Sequence, residues 1–75
     1  MRITDRDLRI KEEVVNGLLR KISLKVTRRY DYTAIDIYSK TTGEFIDTLA
    51  AGLTKRQAFE VLESIERVLR LESKA

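Results

Sequence analysis

The chain contains no cysteine, no histidine and no proline. Each absence closes off a body of chemistry. Without Cys there is no disulfide, no thiol nucleophile and no thiolate metal site. With His missing too, most zinc and haem sites and all imidazole acid–base catalysis are excluded. A Cys-free chain carries no record of its redox compartment. Without Pro, turns must come from Gly, Asn, Asp and Thr. Gly17, Gly43 and Gly52 stand isolated, so neither a Walker loop nor a dinucleotide fingerprint is present. No apolar run approaches the roughly 20 residues that span a bilayer, which argues against a membrane partner. Met1 is not followed by the apolar core of a signal peptide, so a cytoplasmic location is expected.

What the chain does have is charge and periodicity. Its 75 residues are 36% charged and 43% apolar, with a net charge of +3. That apolar share, regularly spaced, is enough to drive folding. One small domain, residues 1–75, is expected, and its modest core makes self-association an expected aid. Residues 1–19 and 41–75 are nearly balanced, whereas residues 20–40 carry Arg20, Lys21, Lys25, Arg28, Arg29 and Lys40 against Asp31 and Asp36. The basic middle third is either solvated surface or a face for an anionic partner.

The spacing predicts a helix from about Thr4 to Arg20, capped by Thr4 or Asp5, with Leu8, Val14, Val15, Leu18, Leu19 and Ile22 in one stripe. Asn16-Gly17 is its weak point. The pair can mark a hairpin, a left-handed helix end or a tolerated interior glycine; continuation is favoured because the stripe runs past it. Ile22 to Thr27 alternates as a strand, with Lys25 on its polar face and Arg29 following in the same phase. Arg28-Arg29-Tyr30-Asp31 then holds a turn, Tyr32 to Ser39 forms a second strand, Lys40 to Gly43 a second turn, and Glu44 to Leu49 a third strand. The register of the second hairpin stays open. An even loop groups Ile46 with Ile35 and Ile37 and leaves Tyr38, Phe45 and Leu49 on the other face; an odd loop exchanges Ile46 for Phe45 and Leu49. A last helix runs from Lys55 to about Leu71 behind a Thr54/Gln57 capping box, with Ala58, Val61, Leu62, Ile65, Val68 and Leu69 as its stripe. The expected fold is α+β in the order α-β-β-β-α, a three-stranded antiparallel meander packed with two amphipathic helices in two layers, or three if the helices take opposite faces.

No catalytic constellation is visible, so no enzyme activity, small-molecule substrate, metal or cofactor is inferred. Ser23, Ser39 and Ser64 have no His as base, and a Ser–Lys arrangement with Lys25 or Lys40 has no supporting spacing. Asp36 and Asp47 would meet across the second hairpin only in one register. Two binding features remain. Lys25, Arg28 and Arg29, with Tyr30 and Tyr32 among them, suit phosphates and base stacking, and Lys40 extends the basic sheet. Lys55 and Arg56 open a helix, where free amides and the dipole favour an anion; neither has an evident structural reason to be there.

Gly52-Leu53-Thr54-Lys55-Arg56-Gln57-Ala58, opening a helix after three strands, resembles the arm-binding domain of tyrosine recombinases, which often carries a Gly-aromatic-x-Thr-Lys-x-Glu-Ala stretch there. The likeness covers about residues 22–70 and implies a sheet inserted in a DNA major groove. The leading helix departs from that pattern. The α-β-β-β-α order is similar to the double-stranded-RNA-binding domain, in which a Lys-Lys-x-Ala-Lys stretch grips phosphates. Lys55, Arg56 and Ala58 fit that stretch, but Phe59 stands where its third Lys would be, and the Gly-Pro-x-His loop is missing. The chain also resembles the small stand-alone proteins common in prophages. The expected function is a small non-enzymatic binding domain for DNA or RNA through Lys25, Arg28, Arg29, Tyr30, Lys40, Lys55 and Arg56. The alternative is a protein-interaction or homodimerising module using Tyr38, Phe45, Ile46 and Leu49.

Overall fold

A computed structural model describes residues 2–74. Its elements are α1 (Asp5–Leu18), β1 (Ile22–Arg29), β2 (Tyr32–Ser39), β3 (Phe45–Leu53) and α2 (Lys55–Lys74), the expected α-β-β-β-α order. The strands form one antiparallel sheet in the order β1-β2-β3.

Cross-strand pairing sorts the side chains into faces. Leu24 lies opposite Ile37 and Val26 opposite Ile35, so these four share one face. Leu8 and Val15 of α1 and Ala58 and Leu62 of α2 join Leu24 and Ile35 in one buried cluster. Both helices therefore lie on the same face. The Cα extents of 36 × 30 × 17 Å fit two layers and not three, since each packed layer adds about 10 Å. The helices run parallel: Asp5 meets Lys55 near their starts, Lys11 meets Glu66 midway, and Gly17–Leu19 approach Leu69–Ser73 at their ends.

Thr4 is the N-cap of α1, and its hydroxyl accepts from the Asp7 N–H while the Asp7 carboxylate accepts from the Thr4 N–H. Thr54 and Gln57 form the same reciprocal pair before α2. The helix continues through Asn16-Gly17, and Asn16 shows why. Its Oδ1 accepts from the Leu24 N–H at 2.7 Å and its Nδ2 donates to the Leu24 carbonyl at 2.9 Å. Glu12, one turn earlier, accepts from the Val26 N–H at 2.8 Å. Side chains of α1 thus occupy the outer edge of β1 where another strand would pair.

Several boundaries move. β1 runs on through Arg28 and Arg29, because both pair with β2, and the first turn shrinks to Tyr30-Asp31 with Tyr30 at φ 51°. β3 does not stop at Leu49 but continues through Gly52, which takes φ 69°, to Leu53 opposite Thr33. Neither the even nor the odd register describes the second hairpin. Tyr38 pairs with Phe45, Ile37 with Asp47, Asp36 with Thr48 and Ile35 with Ala50, so Ile46 and Leu49 each lack an opposite number on β2. These are bulges, which let one strand carry more residues than its partner. Asp36 and Asp47 do not face each other, because Thr48 is the cross-strand partner of Asp36.

Adjacent substitutions in α1 should act in opposite directions. A Cβ on Gly17 meets no atom within 4 Å, so Gly17→Ala is expected to stabilise by about 0.5–1 kcal/mol through helix propensity. Asn16→Ala gains the same kind of propensity term but orphans both backbone groups of Leu24, at about 1–3 kcal/mol, and should be destabilising on balance. Urea denaturation of the two variants checks the signs.

Candidate functional site

The sheet face opposite the helices is uncovered. From β1 it displays Ser23, Lys25, Thr27 and Arg29, from β2 Tyr32, Ala34, Asp36 and Tyr38, and from β3 Phe45 and Thr48. In its middle lies Asp36, only 1% exposed. One carboxylate oxygen accepts from the Thr27 hydroxyl at 3.1 Å and from the Arg29 guanidinium at 3.0 Å; the other accepts from the Thr48 hydroxyl at 3.0 Å. A buried carboxylate is costly unless its lone pairs are met, and here donors from β1 and β3 meet them. Arg29 is therefore tied to the fold, with part of its side chain still exposed.

Strand alternation separates the two neighbouring arginines. Arg29 faces the open side, whereas Arg28, opposite Thr33, is on the helix side with Leu24 and Val26. There Arg28 borders a cleft of about 330 Å³ with Arg2, Asp31, Thr54 and Lys55. Lys55 has a structural partner after all, since its Nζ lies 3.0 Å from Asp5 Oδ1. The hydrogen bond from Lys55, then its charge, then the charges of Arg28 and Arg9 hold the Asp5 carboxyl below its ordinary pKa. Arg56 is exposed in the first turn of α2. Tyr30 caps the hairpin beside these groups and is fully exposed, at 100%.

Two candidate cations lie elsewhere. Lys25 sits at mid-strand on the open face, exposed and opposite Asp36. Lys40, in the second turn, donates to the Asn16 and Leu19 carbonyls and so caps the end of α1, a helix with no basic residue in its own last turn. The favourable energy of a cation on those carbonyls gives Lys40 a structural task. The structure thus gathers Arg28, Arg29, Tyr30, Lys55 and Arg56 at the hairpin end and sets Lys25 and Lys40 apart. It adds Arg2 to the cleft, a residue that no local motif marked.

The candidate interface residues lie on β3 and, for Tyr38, at the adjoining end of the central strand β2. Tyr38 and Phe45 make an edge-to-face pair on the open side, with centroids 5.8 Å apart. Ile46 and Leu49 are the bulged residues and are 52% and 45% exposed. Two of the candidate serines are bound locally: Ser39 Oγ accepts from the Thr41 and Thr42 N–H groups, and Ser64 Oγ donates to the Glu60 carbonyl. A wider concavity of about 600 Å³ separates the helix C-termini. The charged side chains that line it are Arg20 and Glu72, of opposite sign. No described helix is long and apolar enough to cross a membrane.

Two outcomes test this description. Asp36→Asn should cost about 2 kcal/mol in denaturant melts, less than the 3–5 kcal/mol typical of a broken buried pair because Arg29 keeps access to water. The second outcome is a pH profile. Asp5, Asp7 and Glu66 all have lowered pKa values, held respectively by Lys55, by the Thr4 cap, and by Lys11 with Arg70. A depressed carboxyl pKa contributes stability above the unfolded value and loses it as pH falls through the folded one. The melting temperature should therefore decline below about pH 4, and with no His it should be nearly flat between about pH 5.5 and 8. Comparison with protein-family models, curated proteins and solved structures finds no match for the chain.

Proposed function

We propose that this is a small non-enzymatic domain that binds nucleic acid at its hairpin end. The observation that carries the reading is convergence. Because the helices are parallel, both positive helix ends point the same way as the β1–β2 hairpin. Arg2, Arg28, Arg29, Lys55 and Arg56 collect there against Asp5 and Asp31, with Asp36 already engaged. Helix ends and clustered cations create a positive potential that favours phosphate oxygens.

Tyr30 supports the same reading. Its φ of 51° is a conformation that glycine or asparagine adopts more readily. Its side chain is fully exposed and so packs on none of the described residues. A large aromatic kept at a mildly strained, unpacked hairpin tip suits stacking on a base or sugar, with arginines on either side of the strand to hold the flanking phosphates.

The test is fluorescence anisotropy with short single- and double-stranded DNA and RNA at low salt, about 50 mM, followed by a salt titration. Binding should weaken steeply with salt. Arg2→Ala with Arg28→Ala should lower affinity by at least about tenfold and reduce the salt slope by about 2, near one for each phosphate no longer neutralised. Tyr30→Gly should leave the fold as stable or up to about 1 kcal/mol more so while weakening binding. Absence of binding to all four probes at low salt rejects the function.

A further inference from the structure

β3 is the one strand with no buried residue among those described, whereas β2 buries Thr33, Ala34, Ile35 and Asp36. The helix layer buries residues of β1 and β2 but meets β3 chiefly through Leu53, leaving Phe45, Ile46 and Leu49 exposed on the β3 flank. Along that flank two shallow grooves follow α2, the first lined by Leu53, Gln57, Glu60, Val61 and Ser64 and the second by Ser64, Ile65, Val68 and Leu69. Phe45, Ile46 and Leu49 are about half exposed, and Val68 is 61% exposed. The bulges put Ile46 and Leu49 outside the ladder with β2. Residues 41–54 contain no Lys or Arg, in a chain that has 15 of them. This flank therefore has the wrong chemistry for nucleic acid.

We infer that the β3 flank is the contact surface for a second copy of this chain, the two β3 strands lying antiparallel across a two-fold axis near Leu49. Size is the first argument. A nine-residue strand is about 30 Å long, and the slab is 17 Å thick. One flank offers on the order of 500 Å², and the pair on the order of 1,000 Å², where specific association begins. Closure is the second argument. The β1 edge is blocked at its middle, at Leu24 and Val26, by Asn16 and Glu12 of the chain itself, so each copy offers one uninterrupted edge and the assembly stops at two. Charge is the third. The flank is acidic at the Glu44 and Asp47 end, and Arg56, exposed in the first turn of α2, follows at the other, whereas Lys55 is turned to Asp5. An antiparallel pair sets each acidic end beside the partner's basic end, and a parallel pair would oppose like charges. The bulges break the regular ladder, so Phe45, Ile46 and Leu49 side chains rather than a continuous hydrogen-bonded sheet form the contact.

Sedimentation equilibrium over micromolar to millimolar protein, without nucleic acid, should show a monomer–dimer transition and nothing larger. Leu49→Asp, an exposed change that leaves the helical circular dichroism intact, should raise the dissociation constant by at least about tenfold. Because the native chain has no Cys, Leu49→Cys should be linked to dimer by a short bismaleimide much faster than Lys25→Cys, which lies on the open sheet face. A monomer throughout, larger assemblies, an unaffected Leu49→Asp dimer, or equal linkage of the two Cys variants would each overturn the proposal.

Discussion

The hold of α1 on the outer edge of β1 sets the position of everything else. Asn16 and Glu12 can reach the outward backbone groups of Leu24 and Val26 only if α1 overhangs that edge. The two helices are packed together through Lys11, which bonds Glu66 at 2.7 Å and lies 5.2 Å from the centre of the Phe59 ring. Glu66 also accepts from Arg70, so one carboxylate fastens Lys11 of α1 to Arg70 of its own helix. A helix layer anchored beyond one edge of a three-stranded sheet covers the other less fully, here reaching β3 chiefly at Leu53. The exposure of β3 thus follows from the same contacts that protect β1.

That offset also decides which charges are free. Lys40, Lys11, Arg29 and Arg70 are committed to carbonyls or carboxylates within the fold. Lys55 is partly committed, because Asp5 is itself largely exposed and water screens the pair. Arg28 reaches the cleft because β1 extends two residues past the expected turn, and alternation then sends Arg28 and Arg29 to opposite sides. A chain with a net charge of only +3 can still present a positive end, since what matters there is which cations lack close partners and where the helix dipoles point.

Much of this was legible in the sequence, because local rules governed it. The Thr54/Gln57 capping box, a cap at Thr4, the order of elements, the helical stripes apart from Val68, which is 61% exposed, and the sharing of one face by Lys25 and Arg29 follow from spacing and side-chain chemistry within a few residues. What local spacing left open was decided by distant partners. Asn16-Gly17 reads locally as a helix weakness, yet Asn16 is there for Leu24, eight residues on. Asp36 invites pairing with Asp47, but its true partners, Thr27, Arg29 and Thr48, become neighbours only after the strands bulge into register. Lys40 belongs to a basic cluster by sequence and to the end of α1 by contact. Bulges are the hardest feature to foresee, since apolar residues at successive positions, as in Phe45-Ile46, fit either face of a strand.

The hairpin end and the β3 flank answer chiefly to different forces, and they adjoin only at the start of α2. Phosphate binding at Arg2, Arg28 and Lys55 rests on Coulombic attraction and released counterions, and it fades as salt rises. Contact through Phe45, Ile46 and Leu49 rests on apolar burial, which salt leaves intact or strengthens. The stretch without cations, residues 41–54, forms the apolar edge and stops where α2 begins. A flank carrying cations would repel its own copy and draw phosphates along its length. Their absence from this stretch, in a chain with 15 cations, keeps the apolar edge apolar and concentrates the positive potential where the two helices start.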